Sequence, residues 1–461
     1  QINSRLFFSR LSNTFRMPVP EQIGTPGAQN SSFEANVGPT YAGFGHSPAT
    51  PTDAEEVTVR VQAFDNNDVS SVKLWWHEDE QPWNTVDMQL DDDGYFVATI
   101  PPHDSGDIIQ FYVEGTDGLG AVSTFPQDGA DSRAMYQVFD GREARSDVDV
   151  FRIILLDDDE RNLLSTPDMR MSNRVLSMSL IHNNTAYYDV GVRLVGSRWI
   201  RPNSGYKVTM DPANPFYGVH DTIRFDLNGM AEIVMKQMMN RAGGTKSSMY
   251  DDLAYLVVPN RGHSHEVLLQ LARYENVFLN EQFENGSDGT KWELDDVTVS
   301  SGPARGSESL KSDTSVRQNA DIGVNGAMVS RQGDNPEFYR AHLLIKSNRV
   351  KDDFQSIVRL AQAIHQEGNA LFEASNEVMD VDLWMRHYAD QSYLGNWDTY
   401  GFRRPKNLRI YTRPSDDKFI PLFWDCDLCN FSETIKTRSE ATSRLDEIRD
   451  IPHNLRLYWG H

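Results

Sequence analysis

Hydrophobic periodicity changes once along this chain, and that change restricts the folds open to it. Between residues 52 and 140, apolar and polar residues alternate in short runs: VTVRVQAFD, VSSVKLWWHED, VDMQLDDDGYFVATIP and IIQFYVEGTDGLGAVSTFP. Alternation with period two buries one face of each run and wets the other, the pattern of a half-buried strand. Asp-Asp-Gly and Asp-Gly steps punctuate the runs and supply hairpin turn chemistry. About seven short strands in roughly 90 residues predict a β-sandwich over 51–142. From Asp147 the pattern mixes. FRIILL, YYDVGVRLVGS, YKVTMD, HDTIRFDLN, YDDLAYLVVPN and HEVLLQLARYEN read as strands, and EIVMKQMMNRAGG as an amphipathic helix ended by glycines. FLNEQF starts a helical piece. Residues 284–335 are polar and Gly/Ser-rich, with WELDDVTV as a short strand. FQSIVRLAQAIHQ and VDLWMRHYADQSYL place apolar residues at i, i+3 and i+4 and are predicted helices. Strands first and helices later give an α+β layout, not a repeating βαβ one. Residues 1–50 are rich in Pro, Gly, Ser and Asn, without a sustained period, and read as a linker or the tail of a truncated preceding domain.

The chain has 461 residues, which predicts two or three domains. Forty-four basic residues stand against 67 acidic ones, a formal net charge of -23. Such a surface repels nucleic acid and anionic lipid, so neither is an expected partner. It also repels a nucleotide triphosphate, so an ATP site here needs local cations or metal ions. No run of 18 apolar residues exists, so no transmembrane helix and no direct membrane insertion are expected. Gln1 is not an initiator and the sequence ends at Leu-Tyr-Trp-Gly-His461, so it reads as an excised piece with a C-terminal truncation. Cys426 and Cys429 cannot build a disulfide framework. Cys-x-x-Cys admits redox chemistry or half a zinc site, but incidental packing is the expectation here.

The chemistry concentrates between Leu394 and Phe431. Asp398 follows a predicted helix in a turn after Gly395 and Asn396, where a carboxylate can face a cleft and act as a base. Asn407 offers an amide oxygen that can ligate a metal without adding charge. Asp425 and Asp427 follow the apolar run FIPLFW. On a strand, positions i and i+2 point the same way, and two carboxylates about 4–5 Å apart repel by a kcal/mol or more at an effective dielectric near 20. A shared divalent cation removes that cost. If the strand stops by Trp424, one of the two ligates, with Asp425 the first choice. Upstream, Gly196 and Ser197 form a small-residue step that backbone and phosphate can share. Arg198, Arg201 and Lys207 add a local basic cluster. Each has a plainer reading: a turn residue for Asp398 and Asn407, surface salt bridging for the basic cluster. His263–Glu266 (HSHE) lacks the spacing of a zinc helix and is expected in a hairpin turn. No P-loop and no nucleophile elbow occur. Trp75, Trp76 and Trp83 leave carbohydrate binding open in the sandwich, with a spacer or presenting role as the main expectation.

The segments YDVGVRLVGSRW…SGYKVTMD, ARYENVFLNEQF, YLGNWD, NLRIYTRP and FIPLFWDCD occur in this order over roughly 150–435. In them the chain resembles the spore-coat CotH kinase family, preceded by a module similar to bacterial immunoglobulin-like or fibronectin-like domains. Gly-Asn-Trp-Asp and Trp-Asp-x-Asp are the specific part. The resemblance implies a multidomain chain: an N-terminal all-β sandwich followed by an α+β atypical protein kinase-like domain over 146–461. It implies a secreted or surface-associated enzyme moving the γ-phosphate of ATP, with Mg²⁺, Mn²⁺ or Ca²⁺, to Ser or Thr of a protein. Cell-surface or polysaccharide association would fit. It makes Asp398 the catalytic aspartate, Lys207 the phosphate-contacting lysine, and Asn407 and Asp425 metal ligands, with Asp427 second. Gly196, Ser197, Arg198 and Arg404 would line the phosphates. Two departures stand out. The family's glutamate on the strand before the Phe-Leu helix falls near Ala272, with Glu275 three residues later. Asp398 and Asn407 are nine residues apart, against five in the usual kinase catalytic loop. The alternatives are a kinase-like scaffold or adhesion module without catalysis, and a glycan-binding or glycan-processing protein.

Overall fold

A computed structural model describes residues 27, 29, 33–79, 81–142, 147–165, 175–195, 205–227, 230–241, 249–258, 266–294, 298–300, 311–316, 336, 339, 343–396, 398–400, 407–426 and 444–461. The chain divides into two compact units. The first holds residues 1–226, 253–268 and 302–310; the second holds 227–252, 269–301 and 311–461.

The first unit opens with nine strands: β1 (Thr40–Ser47), β2 (Val57–Phe64), β3 (Val69–Glu78), β4 (Asn84–Asp87), β5 (Gln89–Leu90), β6 (Phe96–Ile100), β7 (Ile108–Asp117), β8 (Val122–Phe125) and β9 (Met135–Gln137). They form two antiparallel sheets, ordered β1-β2-β6-β5 and β4-β3-β7-β8, with β9 on β7. Val57, Val59 and Val61 of β2 meet Val72 and Leu74 of β3 and Ile109, Phe111 and Val113 of β7 in one core, as the alternating pattern predicts. β1 is a correction, since residues 1–50 read as linker. Its period is broken at the bulge between Ala42 and Gly45. Gly43 there has φ +59°, and a Cβ would sit 2.9 Å from the Tyr95 ring, so the alternation a strand should show is interrupted by glycine.

The same unit continues through β10 (Asp149–Ile154), α1 (Asp157–Ser165), β11 (Leu176–His182), β12 (Thr185–Leu194), β13 (Gly205–Thr209) and β14 (Thr222–Asp226), and takes in residues 253–268 of β15 (Asp252–Val257) and β16 (Glu266–Gln270). These strands close into a barrel, β10-β11-β12-β13-β14-β16-β15. All but β11 were legible as strands; the closure was not. Ile108 and Met135 of the sandwich pack with Ile154 and Ile181 of the barrel.

The second unit contains α2 (Met230–Arg241), α3 (Asn276–Gln282), β17 (Lys291–Leu294), β18 (Thr298–Ser300), β19 (Lys311–Val316), β20 (Leu343–Ile345), α4 (Gln355–Ile364), α5 (Gly368–Val378), α6 (Val381–Tyr393), β21 (Leu408–Thr412), β22 (Phe419–Leu422), α7 (Arg444–Arg449) and α8 (Pro452–Gly460). A four-stranded sheet, β20-β17-β21-β22, backs the helices. Trp292, Ile410 and Phe419 of the sheet share a core with Ile357, Leu360, Trp384 and Tyr388 of α4 and α6. α6 begins where the Asp380 carboxylate caps the Leu383 N–H, and Trp384 Nε1 donates to the Phe419 carbonyl at 2.9 Å, tying helix to strand.

Candidate functional site

The end of α6 positions Asp398. Gly395 takes φ +65°, a left-handed value that costs glycine little and closes a helix. The Asn396 N–H then reaches back to the Gln391 carbonyl at 3.1 Å, and Asn396 Nδ2 donates to Gln391 Oε1 at 2.7 Å, both side chains buried. The chain is thereby turned sharply, and Asp398 lies just past it, 4% exposed.

Asn407 completes this loop. Its Nδ2 donates to the Asp398 carbonyl at 2.8 Å and approaches Asp398 Oδ2 at 3.4 Å. Thr399 Oγ1 donates to the Asn407 carbonyl at 3.3 Å. The nine-residue spacing therefore brings the two residues together, and the amide nitrogen holds the aspartate. Its Oδ1 is the atom a metal would use. Asn407 has φ +55° and Asp425 φ +61°, left-handed values that Asn and Asp adopt more readily than other non-glycine residues.

Asp425 is not on a strand. β22 stops at Leu422, so the paired orientation expected for Asp425 and Asp427 does not arise from strand alternation. Asp425 is half-buried; Asp427 lies outside the described residues. Its neighbours are fixed from two sides. Trp424 lies beneath the Arg409 guanidinium, 3.1 Å from ring centroid to carbon. The Phe423 carbonyl accepts from the buried Tyr274 hydroxyl at 2.7 Å. Phe423 and Cys426 also pack with Leu394, Met235 and Met239, which joins the segment of Asp425 to the helix end that leads into Asp398. Cys426 is in a disulfide, a correction to the expectation of incidental packing; the other cysteine of the sequence, Cys429, lies outside the described residues.

Lys207 belongs to the first unit. On β13 it stands in register with Arg193 on β12 and Arg224 on β14. Three cations in one cross-strand row repel unless anions meet them; Arg224 reaches Asp226 at 2.9 Å. Gly196, Ser197, Arg198, Arg201, His263 and Arg404 lie outside the described residues.

Inside the second unit the sequence reading missed a buried charge cluster. Lys236 Nζ on α2 is 2.8 Å from Glu232 Oε1 and 2.7 Å from Asp251 Oδ2, with all three side chains at most 4% exposed. Asp251 Oδ1 also accepts from the Ala272 N–H at 2.8 Å. Burial pushes the Asp251 carboxyl up to about 6, with Lys236 pulling it down and Glu232 raising it. Ala272 is the position where the family glutamate was expected, so an acid already sits against its backbone. Glu275, the other candidate, faces Arg273 at 3.5 Å. The signal for this cluster was the Glu232–Lys236 spacing of i, i+4 within the predicted amphipathic helix EIVMKQMMNRAGG. Nearby, Lys291 donates to the Tyr274 carbonyl. Burial first, then Arg409 and Arg273, bring its ammonium down to about 8.

The expected ligands Asp398, Asn407 and Asp425 offer carboxylate and amide oxygens, a donor chemistry that suits a hard divalent cation. Among the described residues one trio, Glu78, His103 and Asp107, has possible ligand atoms all within 4.8 Å of one another. It lies in the sandwich and includes none of the expected ligands.

An Asn407–Asp398 contact just past the end of a helix, with Asp425 past a short strand of the same unit, makes a candidate hard-metal site of the kind phosphoryl transfer uses. Residues 221–458, more than half the chain, match the family described as CotH kinase protein. The chain belongs to that kinase-like family. The match includes Asp398, Arg404, Asn407, Asp425 and Asp427, and Lys236 with its partners; Gly196 to Lys207 precede it. No curated protein matches the sequence. Among solved structures, the Br derivative of BhCBM56 is 14% identical over 23% of this chain and 96% of that one, TM-score 0.16. The cycloalternan-degrading enzyme from Trueperella pyogenes is 11% identical over 33% and 18%, TM-score 0.17. The cycloalternan-forming enzyme from Listeria monocytogenes, in complex with a pentasaccharide substrate, is 10% identical over 40% and 17%, TM-score 0.17. This chain thus spans less than a fifth of either cycloalternan enzyme, and at these TM-scores the likenesses carry no argument.

Proposed function

We propose that the protein is an atypical kinase, secreted or displayed at a cell surface, that transfers the γ-phosphate of ATP to serine or threonine hydroxyls of a protein. The observation that carries this reading is the buried Asn407–Asp398 contact, closed by Gly395 and packed through Leu394 to the segment of Asp425. A base that must meet a substrate hydroxyl needs a fixed carboxylate, and Asn407 supplies the restraint. Asp398 would accept the hydroxyl proton as the oxygen attacks. ATP and a divalent cation would supply the transferred group and neutralise its charge. Asp425 would ligate the cation, with Asn407 Oδ1 and Asp427 as further oxygen donors. Lys207, in its row with Arg193 and Arg224, would meet the phosphates, with Gly196, Ser197, Arg198 and Arg404. The 51–142 sandwich would act as a spacer or presenting module ahead of a kinase-like domain over 146–461. Disulfides persist in oxidising compartments, so the bond at Cys426 favours an extracellular setting.

The alternative is a kinase-like scaffold or adhesion module without catalysis. Ala272 in place of the expected glutamate, with Glu275 turned to Arg273, favours it. ATP with each divalent metal, followed by detection of phosphoserine and phosphothreonine on the protein or an added acceptor, separates the two. Transfer that disappears in Asp398→Ala supports the kinase. Metal-dependent ATP binding without transfer supports the scaffold.

A further inference from the structure

A cavity of about 330 Å³ in the second unit lies among the end of α2, the end of α6 and α8, and belongs to no part of the phosphoryl-transfer reading. Met238, Met239 and Leu394 give it an apolar wall, and Tyr393 and Trp459, both more than half exposed, stand at it. Its volume falls within the range of small-molecule sites. Two polar groups line it with nothing to bond. Asp390 Oδ2 and Ser392 Oγ are each buried without a hydrogen-bond partner, and Ser392 is only 3% exposed.

Buried polar atoms are normally satisfied, and an unpaired buried carboxylate is the costlier of the two. Arg386, one turn before Asp390, lies 3.6 Å from Asp382, and His461, which also lines the cavity, lies 3.1 Å from the same carboxylate. Burial raises the Asp390 carboxyl to about 6, with Arg386 opposing it only in part. An anion would be repelled here, and a neutral apolar guest would leave both polar groups unpaired. A guest with an ammonium at one end and an apolar body satisfies every wall. Aromatic rings at the mouth attract such a cation as well, and the net charge of -23 draws it in.

We infer that this cavity is a binding site for a small amphipathic organic cation, an aryl- or alkylammonium, whose ammonium meets Asp390 and Ser392 while its apolar body lies against Met238, Met239 and Leu394. Leu394 also packs with Phe423 and Cys426, so an occupant would bear on the helix end that leads into Asp398.

Titration calorimetry with phenethylamine on the full chain tests this, against 2-phenylethanol as the uncharged counterpart. Saturable binding of the amine, at least tenfold tighter than that of the alcohol, is the expected result, since hydrogen bonds to a charged group discriminate by about that factor or more. Asp390→Asn should remove the preference while leaving the weak binding of the alcohol. Equal binding of amine and alcohol by the wild-type protein would overturn the inference, and needs no variant to fold. So would unchanged amine affinity in Asp390→Asn, or no saturable binding of the amine up to about 10 mM, which would mean that water alone serves the two polar groups.

Discussion

Replacing Lys236 by methionine tests the buried charge cluster of the second unit. The change keeps most of the side-chain volume and removes the charge. It leaves Glu232 and Asp251 facing each other with no cation, in surroundings from which water is excluded. Breaking a buried pair by removing one partner costs about 3–5 kcal/mol. The cost should depend on pH. The Asp251 carboxyl is raised from 3.8 to about 6, so its contribution to stability is full below pH 3.8 and is lost as pH rises through 6. Two pH units correspond to about 3 kcal/mol between those limits. Without Lys236 the folded-state value rises further and the window extends upward. Scanning calorimetry of wild type and variant at pH 5 and pH 8 reads this directly. The difference between the two proteins should be several kcal/mol at pH 8 and clearly smaller at pH 5, where Asp251 takes up a proton. The difference is the quantity to use, because the wild-type profile mixes opposite signs. Burial holds His46 and His387 down to about 4, and those histidines lose stability as pH falls from 6.5, while Asp251 and Asp390 gain it. Equal loss at both pH values, or a loss under about 1 kcal/mol at pH 8, would refute the description of a buried, charge-coupled cluster.

Asn407→Ala removes the amide that donates to the Asp398 carbonyl. It should cost about 1–3 kcal/mol in calorimetry and lower phosphate transfer by more than it weakens ATP binding. Tyr274→Phe deletes the bond to the Phe423 carbonyl and should cost about 1–2 kcal/mol, with a raised divalent-metal requirement if Phe423 positions Asp425. Trp424→Leu withdraws the ring beneath Arg409 and should cost about 1–3 kcal/mol by lost burial and cation–π contact, measured by the same melting curve.

Much of the architecture was readable because its elements follow a single period. β2, β3 and β7 alternate, and α4 and α6 repeat every three to four residues, since each buries one face. β1 escaped because glycine interrupts its alternation where Tyr95 comes close. Barrel closure escaped because pairing between distant strands leaves no local trace. At the site, Asp398 was legible from the Gly395 turn after a helix. The Asn407 contact was not, because a nine-residue loop has no fixed geometry that spacing alone can give. Lys236 was hidden for a different reason. Glu232 and Lys236 at i, i+4 look like a solvated ion pair, and only the fold shows Asp251 meeting Lys236 and burying it. Asp425 lies three residues beyond the end of β22, which is the case in which the strand stops by Trp424 and the side chains of Asp425 and Asp427 are not paired by alternation.

The central claim is metal-dependent phosphoryl transfer organised by Asp398 and Asp425. Its most direct measurement is transfer from radiolabelled ATP in Mg²⁺, Mn²⁺ or Ca²⁺, for wild type, Asp398→Ala and Asp425→Asn in parallel. The account predicts label on serine or threonine with wild type, none with Asp398→Ala despite retained ATP binding, and weakened metal-dependent ATP binding with Asp425→Asn. Absence of ATP binding by the wild-type protein at millimolar nucleotide with every metal, or transfer that survives Asp398→Ala, would contradict it.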